Sequence, residues 1–284
     1  MPSYLPASPS PELPALPSKR PALVEFRPFV VSGYRTGVLD IQLAARRVLS
    51  LPTQLGCRVG CTFCVSSTLP LVRSLTAAEM LAMVSLCLAA RPADTRPLEL
   101  SFTGEGEAAL NWKAAAEVCR QVATLTPQVT SVRYCFSGLG ASALLGRLDA
   151  GPYPCRLQFS LHTARQALRD QLVPRSEPLA DIKKALLAQA HRFSSIELNV
   201  VLQDGVNDSD ADLQALLAWA DPAWPVLLNP LLTDGVAQPG QRTAAFEAAL
   251  RQAGRPLLRY ERVGRALATE RIYPLLSALR LPRT

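Results

Sequence analysis

Six short runs of strand-forming residues alternate with helix-forming stretches along this chain, and this alternation limits the folds that it can adopt. Strand followed by helix, repeated in this way, predicts a parallel sheet with helices packed outside it. We therefore predict an α/β fold with about six parallel strands, arranged as a full or partial (β/α) barrel or as an open sheet. The strand-like runs read RRVLSLP, LELSFTG, SVRYCFS, CRLQFSLH, IELNVVL and WPVLLNP.

The stretches between these runs are rich in Ala and Leu, and three of them begin with residues that cap helices. Thr76, Asn111 and Asp208 lie at the positions where N-caps belong. In folds of this class, chemistry gathers at the edge where the parallel strands end. The polar residues that follow the strands are therefore the candidates for function.

The first 22 residues carry seven prolines, which are incompatible with regular helix or sheet and predict a flexible leader over residues 1–22. From Leu23 the composition is globular without a second linker, so residues 23–284 are predicted to form a single domain. The N-terminus lacks the pattern of a secretory signal, and no apolar run reaches the roughly 18 residues of a membrane span. A cytoplasmic protein without a membrane partner is therefore expected.

Most of the excess positive charge lies near the C-terminal end. The formal net charge is +7, and the 34 residues from Arg251 onward carry eight arginines against Glu261 and Glu270. A basic segment of this kind is either a solvated helix or a surface that meets phosphate groups. RNA is thus one candidate partner.

Three cysteines lie close together in QLGCRVGCTFC, directly after the first strand-like run. Cys57, Cys61 and Cys64 have the spacing C-x3-C-x2-C, whereas closed zinc sites use four ligands at other spacings. Three thiolates can bind three irons of a [4Fe-4S] cluster and leave the fourth iron open for a substrate or cofactor. Because the chain has seven cysteines, an odd number with no disulfide framework, reduced thiols are expected.

With Phe63 before the last cysteine, this motif resembles the cluster motif of the radical S-adenosylmethionine (SAM) superfamily. The resemblance extends to the RlmN/Cfr family of radical SAM ribosomal RNA adenine methyltransferases. Four further segments resemble motifs of that family in the family's order, over about residues 50–235. They read FTGEGEAALN, FSLHTARQALRDQLVP, LQDGVNDSDADLQAL and VLLNP.

The resemblance implies an enzyme with two cofactors, a [4Fe-4S] cluster on Cys57, Cys61 and Cys64, and SAM on the open iron. An electron from the reduced cluster would split SAM into methionine and a 5′-deoxyadenosyl radical. A reducing partner such as flavodoxin or ferredoxin would supply that electron. Gly106 and Glu107 would receive the amino group of SAM, since a carboxylate at a strand end suits an ammonium.

Further SAM contacts are implied at the ends of later strands. Ser160, Leu161 and His162 would line the ribose and carboxylate of SAM, and Asn229 would lie near the adenine. Where the family has a contacting serine on the third strand, this chain has Cys135, and Ser137 is the alternative. No side chain is predicted to act as a catalytic acid, base or nucleophile.

The chain departs from the family at the two cysteines that carry out methyl transfer. Ser50 stands at the position of the first, and no cysteine follows Cys155. A serine hydroxyl is a much weaker nucleophile than a thiolate at neutral pH. The leading hypothesis is therefore a radical SAM enzyme whose 5′-deoxyadenosyl radical abstracts hydrogen from an unidentified small molecule, peptide or nucleotide. An RlmN/Cfr-like RNA adenine methyltransferase with an altered mechanism and a non-catalytic iron–sulfur protein remain the alternatives.

Overall fold

The computed structural model describes residues 23–68, 70–233, 236–238 and 240–258. The predicted leader and the basic segment beyond residue 258 lie outside the described residues. The strands are β1 (Leu23–Val31), β2 (Tyr34–Gln42), β3 (Arg47–Leu51), β4 (Gln54–Leu55), β5 (Arg73–Ser74), β6 (Leu98–Phe102), β7 (Val129–Phe136), β8 (Cys155–Ser160), β9 (Ser195–Leu202), β10 (Val226–Thr233), β11 (Val236–Gln238) and β12 (Leu257–Leu258). The α-helices are α1 (Ala77–Ala89), α2 (Trp112–Gln121), α3 (Ala141–Leu144), α4 (Gln166–Leu172), α5 (Leu179–Gln189), α6 (Asp210–Trp219) and α7 (Thr243–Gln252).

The core of the fold is a run of six parallel strands whose order in the sheet equals their order in the chain. Strands β3, β6, β7, β8, β9 and β10 pair in this sequence, and each predicted strand-like run forms one of them. Within the described residues, β3 and β10 do not pair with each other. The outer edge of β3 pairs with β2, and β10 pairs with β11 and β12. The predicted α/β fold is confirmed, and among the described residues the sheet does not close into a full barrel.

An antiparallel hairpin that we did not predict extends the sheet at its N-terminal side. Strands β1 and β2 pair along their whole length around a turn at Ser32 and Gly33, both with positive φ. The Ser-Gly pair between two alternating segments is the signal that identifies this turn in the sequence. Since β2 pairs with β3, the tip of the hairpin passes the carboxyl end of β3.

Two of the three predicted caps lie at helix N-termini, but only one makes a capping hydrogen bond. Thr76 accepts from the backbone N–H of Glu79 and forms a capping box at the start of α1. Asn111 is the N-cap residue of α2 without a side-chain cap, because its amide group binds elsewhere. The prediction for Asp208 was wrong, since Ser209 caps α6 together with Asp212.

The parallel strands turn one face to the helices and the opposite face to the concave side of the sheet. The helix-facing side chains are large and fully buried, as Phe102, Tyr134 and Phe159 show. The concave face is polar: Glu99 pairs with Arg133 at 2.9 Å and with Arg156 at 2.8 Å, and Glu197 also pairs with Arg156. No described helix has the length and apolar character required to cross a membrane.

The N-terminal hairpin is held to the parallel sheet by a buried ion pair. Asp40 on β2 accepts from Arg47 on β3 through both carboxylate oxygens, at 2.8 and 2.7 Å, and the two side chains are almost completely buried. The same guanidinium donates to the carbonyl of Cys87 on α1 at 2.6 Å. One arginine thus links the hairpin, the sheet and the first outer helix.

Replacing Asp40 by Asn should lower the free energy of unfolding by about 3–5 kcal/mol, because it leaves the Arg47 charge buried without a counter-ion. Urea unfolding measures the change. Glu117→Gln serves as the control, because it removes an exposed carboxylate whose pairing with Arg120 is screened by water, and it should leave the free energy of unfolding nearly unchanged. Equal effects of the two substitutions would contradict this account of the Asp40 pair.

Candidate functional site at the carboxyl edge of the sheet

The three predicted cluster ligands lie in one loop between β3 and α1, which we call the cysteine loop (residues 52–75). The loop begins at the carboxyl end of β3, and β4 and β5 pair inside it to form a short hairpin. Gly56 has φ +81°, and a Cβ there would lie 2.2 Å from the carbonyl oxygen of Pro70. Glycine is therefore required where the two arms of the loop cross.

The end of β6 braces the start of the cysteine loop. Glu105 is buried, and one of its carboxylate oxygens accepts from the backbone N–H of Gly56 at 2.5 Å. Its other oxygen accepts from Thr36 of the N-terminal hairpin at 3.0 Å. Burial raises the pKa of Glu105, against the effect of these two hydrogen bonds. Glu105 thus ties the cysteine loop to the N-terminal hairpin.

Two further side chains hold the same loop. Gln54 accepts from the backbone N–H of Glu107 at 2.9 Å and donates to Ser74 at 3.2 Å. Asn111 donates to the carbonyls of Thr53 and Leu75, both at 2.8 Å. The polar residues around the end of β6 therefore secure both ends of the cysteine loop.

The thiols of Cys57 and Cys61 are half-buried against an apolar group formed by Val59, Leu172 and Val173. Burial raises the pKa of Cys57 to about 11 and that of Cys61 to about 12. Metal binding must therefore displace protons from both thiols.

Among the described residues, no three His, Cys, Asp or Glu side chains are arranged to hold a single metal ion. An iron–sulfur cluster makes a different demand, since each thiolate binds its own iron. The three thiols of one braced loop, Cys57, Cys61 and Cys64, with apolar side chains beside them, fit that demand.

Glu107 lies two residues after Glu105, beyond the end of β6, and is buried. Its carboxylate accepts from the N–H groups of Ala109 at 3.1 Å and Ser137 at 3.0 Å, so it joins the ends of β6 and β7. Burial raises its pKa. Gly106 has φ +101°, and a Cβ there would lie 2.7 Å from both Gln54 and Thr53. The predicted Gly-Glu pair therefore lies directly against the loop that carries the thiols.

His162 lies at the end of β8 and contacts the same loop. Its ring packs edge-on against Phe63, with 4.7 Å between the ring centroids. Its φ of +57° is rare for a residue other than glycine. Nδ1 accepts from the backbone N–H of Val201 at 3.2 Å. Burial, reinforced by the charge of Arg169, lowers the pKa of His162 to about 3, so the ring is neutral and carries its proton on Nε2.

The remaining predicted contacts are distributed along the same edge. Ser160 is half-buried, whereas the side chain of Leu161 is fully buried in the core, which leaves only backbone groups of Leu161 to line a site. Asn229 on β10 donates to Asn199 on β9 at 2.6 Å. Cys135 contacts Gln158 on the concave face at 3.5 Å. Ser137, the alternative to Cys135, contacts Glu107 instead.

Two residues that join strand ends were not singled out from the sequence, although both lie in motifs that it shows. Asn207 is buried and donates to the carbonyls of His162 at 2.7 Å and Val201 at 2.8 Å. Arg169 is fully buried and donates to the carbonyls of Ser160 and Leu161, both at 2.5 Å. The first stands in the V-N-D segment and the second in R-D-x-x-V-P, which are the signals that could have identified them.

Gly106→Ala should destabilise the protein more than Gly104→Ala, because the two glycines have similar positive φ values but different surroundings. A Cβ at Gly104 meets nothing within 4 Å, whereas one at Gly106 collides with the cysteine loop. Both variants carry a backbone strain of about 1–2 kcal/mol, and overpacking adds about 1–3 kcal/mol at Gly106 alone. Urea unfolding of the pair measures the difference, and equal losses would contradict the close approach.

The stability contributed by His162 should depend on pH. Between pH 6.5 and 3 the unfolded chain binds a proton at this ring that the folded chain does not, so stability falls as the pH is lowered through that range. The limiting slope is about 1.4 kcal/mol per pH unit. Unfolding of wild type and His162→Asn from pH 7.5 to 5 measures it, since Asn tolerates positive φ. A difference between them that stays constant with pH would contradict the buried neutral ring.

Comparison with known proteins identifies relatives in sequence and structure, although no family model matches the chain. A protein named "Probable RNA methyltransferase" from Methylibium petroleiphilum is 32% identical, over 75% of this chain and 61% of the relative. Another of that name, from Aromatoleum aromaticum, is 29% identical over 86% of this chain and 72% of the relative. The chain thus spans only about three-fifths of the first relative.

A solved structure shows the same fold. The crystal structure of a radical SAM methyltransferase from Sphaerobacter thermophilus superposes with a TM-score of 0.72 at 25% sequence identity, over 84% of this chain and 76% of that chain. The motifs, the fold and these relatives together show that the chain resembles the radical SAM superfamily and, within it, the RlmN/Cfr family.

Proposed function

We propose that the chain is a radical SAM enzyme that binds a [4Fe-4S] cluster through Cys57, Cys61 and Cys64 and binds SAM beside it. The observation that carries the proposal is the contact between one braced loop with three thiols and the carboxyl ends of β6 and β8. Glu107 and His162 lie at those two strand ends. A protein that only stores a cluster has no need for this second set of polar groups, which argues against the non-catalytic alternative.

Glu107 is suited to receive the ammonium group of SAM. Its carboxylate is buried, and it accepts from the backbone N–H groups of Ala109 and Ser137 and from the Ser137 hydroxyl, all of them neutral donors. A buried carboxylate is stabilised by a cation that reaches it, and the cation is then held in a fixed direction. Gly106 allows this turn to lie against the loop. We infer that the pair orients the methionine portion of SAM.

His162 and its neighbours are suited to orient the rest of SAM. Because Nδ1 is occupied by Val201, the ring can only donate, through Nε2, to a hydroxyl or carboxylate oxygen. Ser160 adds a hydroxyl on the same strand end, and Asn229 adds an amide two strands away. A ring whose pKa is about 3 is too weak a base to take a proton at neutral pH, so we assign these groups to binding.

When bound and reduced, the cluster and SAM supply the chemistry of reductive SAM cleavage to methionine and a 5′-deoxyadenosyl radical. The protein has to hold the substrate near that radical and exclude water. We infer that the polar concave face beside the strand ends, which carries Gln158 and Cys135, contacts the substrate. We propose that the radical abstracts hydrogen from a substrate held there. The electron would come from a small partner such as flavodoxin or ferredoxin.

Ser50 favours direct use of the radical over methyl transfer. It is buried on β3, in register with Leu39 of β2 and Ser101 of β6. The hydroxyl there cannot supply the thiolate chemistry that the family's cysteine carries out. Hydrogen abstraction needs no such thiol, and it is therefore the reaction that the residues of this chain support better.

RNA methylation is the second candidate. The curated relatives are named as RNA methyltransferases, and the sequence beyond residue 250 is rich in arginine. An RNA substrate would be held through phosphate contacts, whose strength falls with salt. Salt-dependent binding of ribosomal RNA fragments therefore separates this candidate from a small-molecule or peptide substrate.

Anaerobic reconstitution with iron and sulfide, followed by SAM and dithionite, should yield 5′-deoxyadenosine, which mass spectrometry detects. We expect no S-adenosylhomocysteine and no effect of ribosomal RNA fragments. S-adenosylhomocysteine together with methylated RNA would show that the second candidate is right. A loaded protein that forms neither product would support the non-catalytic alternative.

Cys61→Ala should lose the cluster and all 5′-deoxyadenosine, because one iron then has no protein ligand. Cys155→Ala is the matched control, since this thiol lies at the opposite end of β8 from Ser160. It should keep full iron content and product. Loss of product in both variants, or in neither, would overturn the ligand assignment.

A further inference from the structure

Arg169 on α4 carries a buried positive charge that no described carboxylate pairs with. Its side chain is fully buried. Every hydrogen bond that it makes among the described residues ends on a neutral oxygen: the carbonyls of Ser160 and Leu161 at 2.5 Å, the carbonyl of Ser137, and the hydroxyl of Ser176 at 3.3 Å. The guanidinium also lies 5.2 Å from the centre of the Phe159 ring.

A cation in this position costs stability unless an anion compensates it. Burial lowers the pKa of Arg169 to about 10, which still leaves it charged at neutral pH. The negative groups that act on it are Cys61, as a thiolate, Asp170 and Glu107. Asp170 is exposed, so water screens it. Glu107 is separated from Arg169 by Ser137, whose N–H binds the carboxylate and whose carbonyl binds the guanidinium.

The helix that carries Arg169 packs directly on the cysteine loop. Leu168 and Leu172, one residue before it and one turn after it, belong to the apolar group that contacts Cys57 and Cys61. The backbone N–H of Thr62 donates to the carbonyl of Leu172 at 3.0 Å. The buried charge therefore lies beside the thiols and away from solvent.

We propose that Arg169 is the counter-ion of the cluster held by Cys57, Cys61 and Cys64, and that it favours the reduced state of that cluster. This inference rests on the proposed function. Three thiolates outweigh the positive charge of an oxidised iron–sulfur core, and reduction adds one more negative charge without changing any bond of the protein. A fixed cation in a water-poor site stabilises both states and stabilises the reduced one more. Arg169 is thus a positioning residue that acts through the cluster and holds the ends of β7 and β8.

The test is a redox titration of the reconstituted protein in the absence of SAM, with dithionite as the one-electron donor. Electron paramagnetic resonance measures the fraction of reduced cluster at each potential. Arg169→Gln should lower the equilibrium constant for reduction at least tenfold, which corresponds to 59 mV for one electron. Arg169→Lys keeps the positive charge but loses the forked hydrogen bonds of the guanidinium. Its equilibrium constant for reduction should stay within about threefold of wild type. Arg175→Gln is the control. This substitution removes an exposed arginine that contacts Arg58 of the cysteine loop. Because solvent screens its charge, the equilibrium constant for reduction should change by no more than about threefold.

An unchanged potential in Arg169→Gln would overturn the inference, and so would a tenfold loss in Arg169→Lys. If Arg169→Gln does not fold, the lysine variant alone decides, because a purely structural role predicts loss of folding in both. Failure of the proposed function is distinguishable, since the wild-type protein would then take up no cluster, or would take up a cluster and form no 5′-deoxyadenosine from SAM. A cluster with equal potentials in all variants would leave the proposed function intact and remove only the role of Arg169.

Discussion

The buried carboxylate of Glu105 is the interaction on which the site depends most. Its two oxygens bind Gly56 of the cysteine loop and Thr36 of the N-terminal hairpin, and its backbone carbonyl accepts from Thr53 at 2.9 Å. A single residue at the end of β6 therefore joins three segments that are distant in the chain. Hydrogen bonds to a buried carboxylate are strong because water does not compete for them. This brace, together with the hydrogen bonds of Gln54 and Asn111, fixes the loop of three thiols relative to the strand ends.

A second constraint is the balance of charge in the site. Glu107 and Arg169 are both buried and lie on opposite sides of the Ser137 peptide, while His162 between the strand ends is neutral. Neither charge has a direct partner among the described residues. A site built in this way is suited to ligands that carry opposite charges in separate places, as the ammonium of SAM and a thiolate-bound cluster do.

Much of the fold and part of the site could be predicted from the sequence, for identifiable reasons. Each of the six parallel strands coincides with a run such as LELSF or CRLQFS, because a strand with one face buried under helices and the other face polar alternates apolar with polar residues. The three cysteines are recognisable because their spacing is local. The N-terminal hairpin, which contains Phe26 and Phe29, was missed. The prediction relied on strands alternating with helices, and no helix lies between the two hairpin strands. Asp208 was wrongly taken as a cap, since Ser209 beside it is an equally good one.

The sequence by itself determined the order of strands and helices, the loop with three thiols, and the absence of a thiol at Ser50. These properties depend on the types of neighbouring residues and on their spacing. Only the tertiary structure decided that Glu105 braces the loop, that Asn207 and Arg169 join strand ends, and that His162 is neutral. Those roles depend on burial and on contacts between residues far apart in the chain, such as the 49 positions that separate Gly56 from Glu105. Such residues meet at one edge because the strands pair in chain order. No local sequence pattern encodes contacts between residues so far apart in the chain.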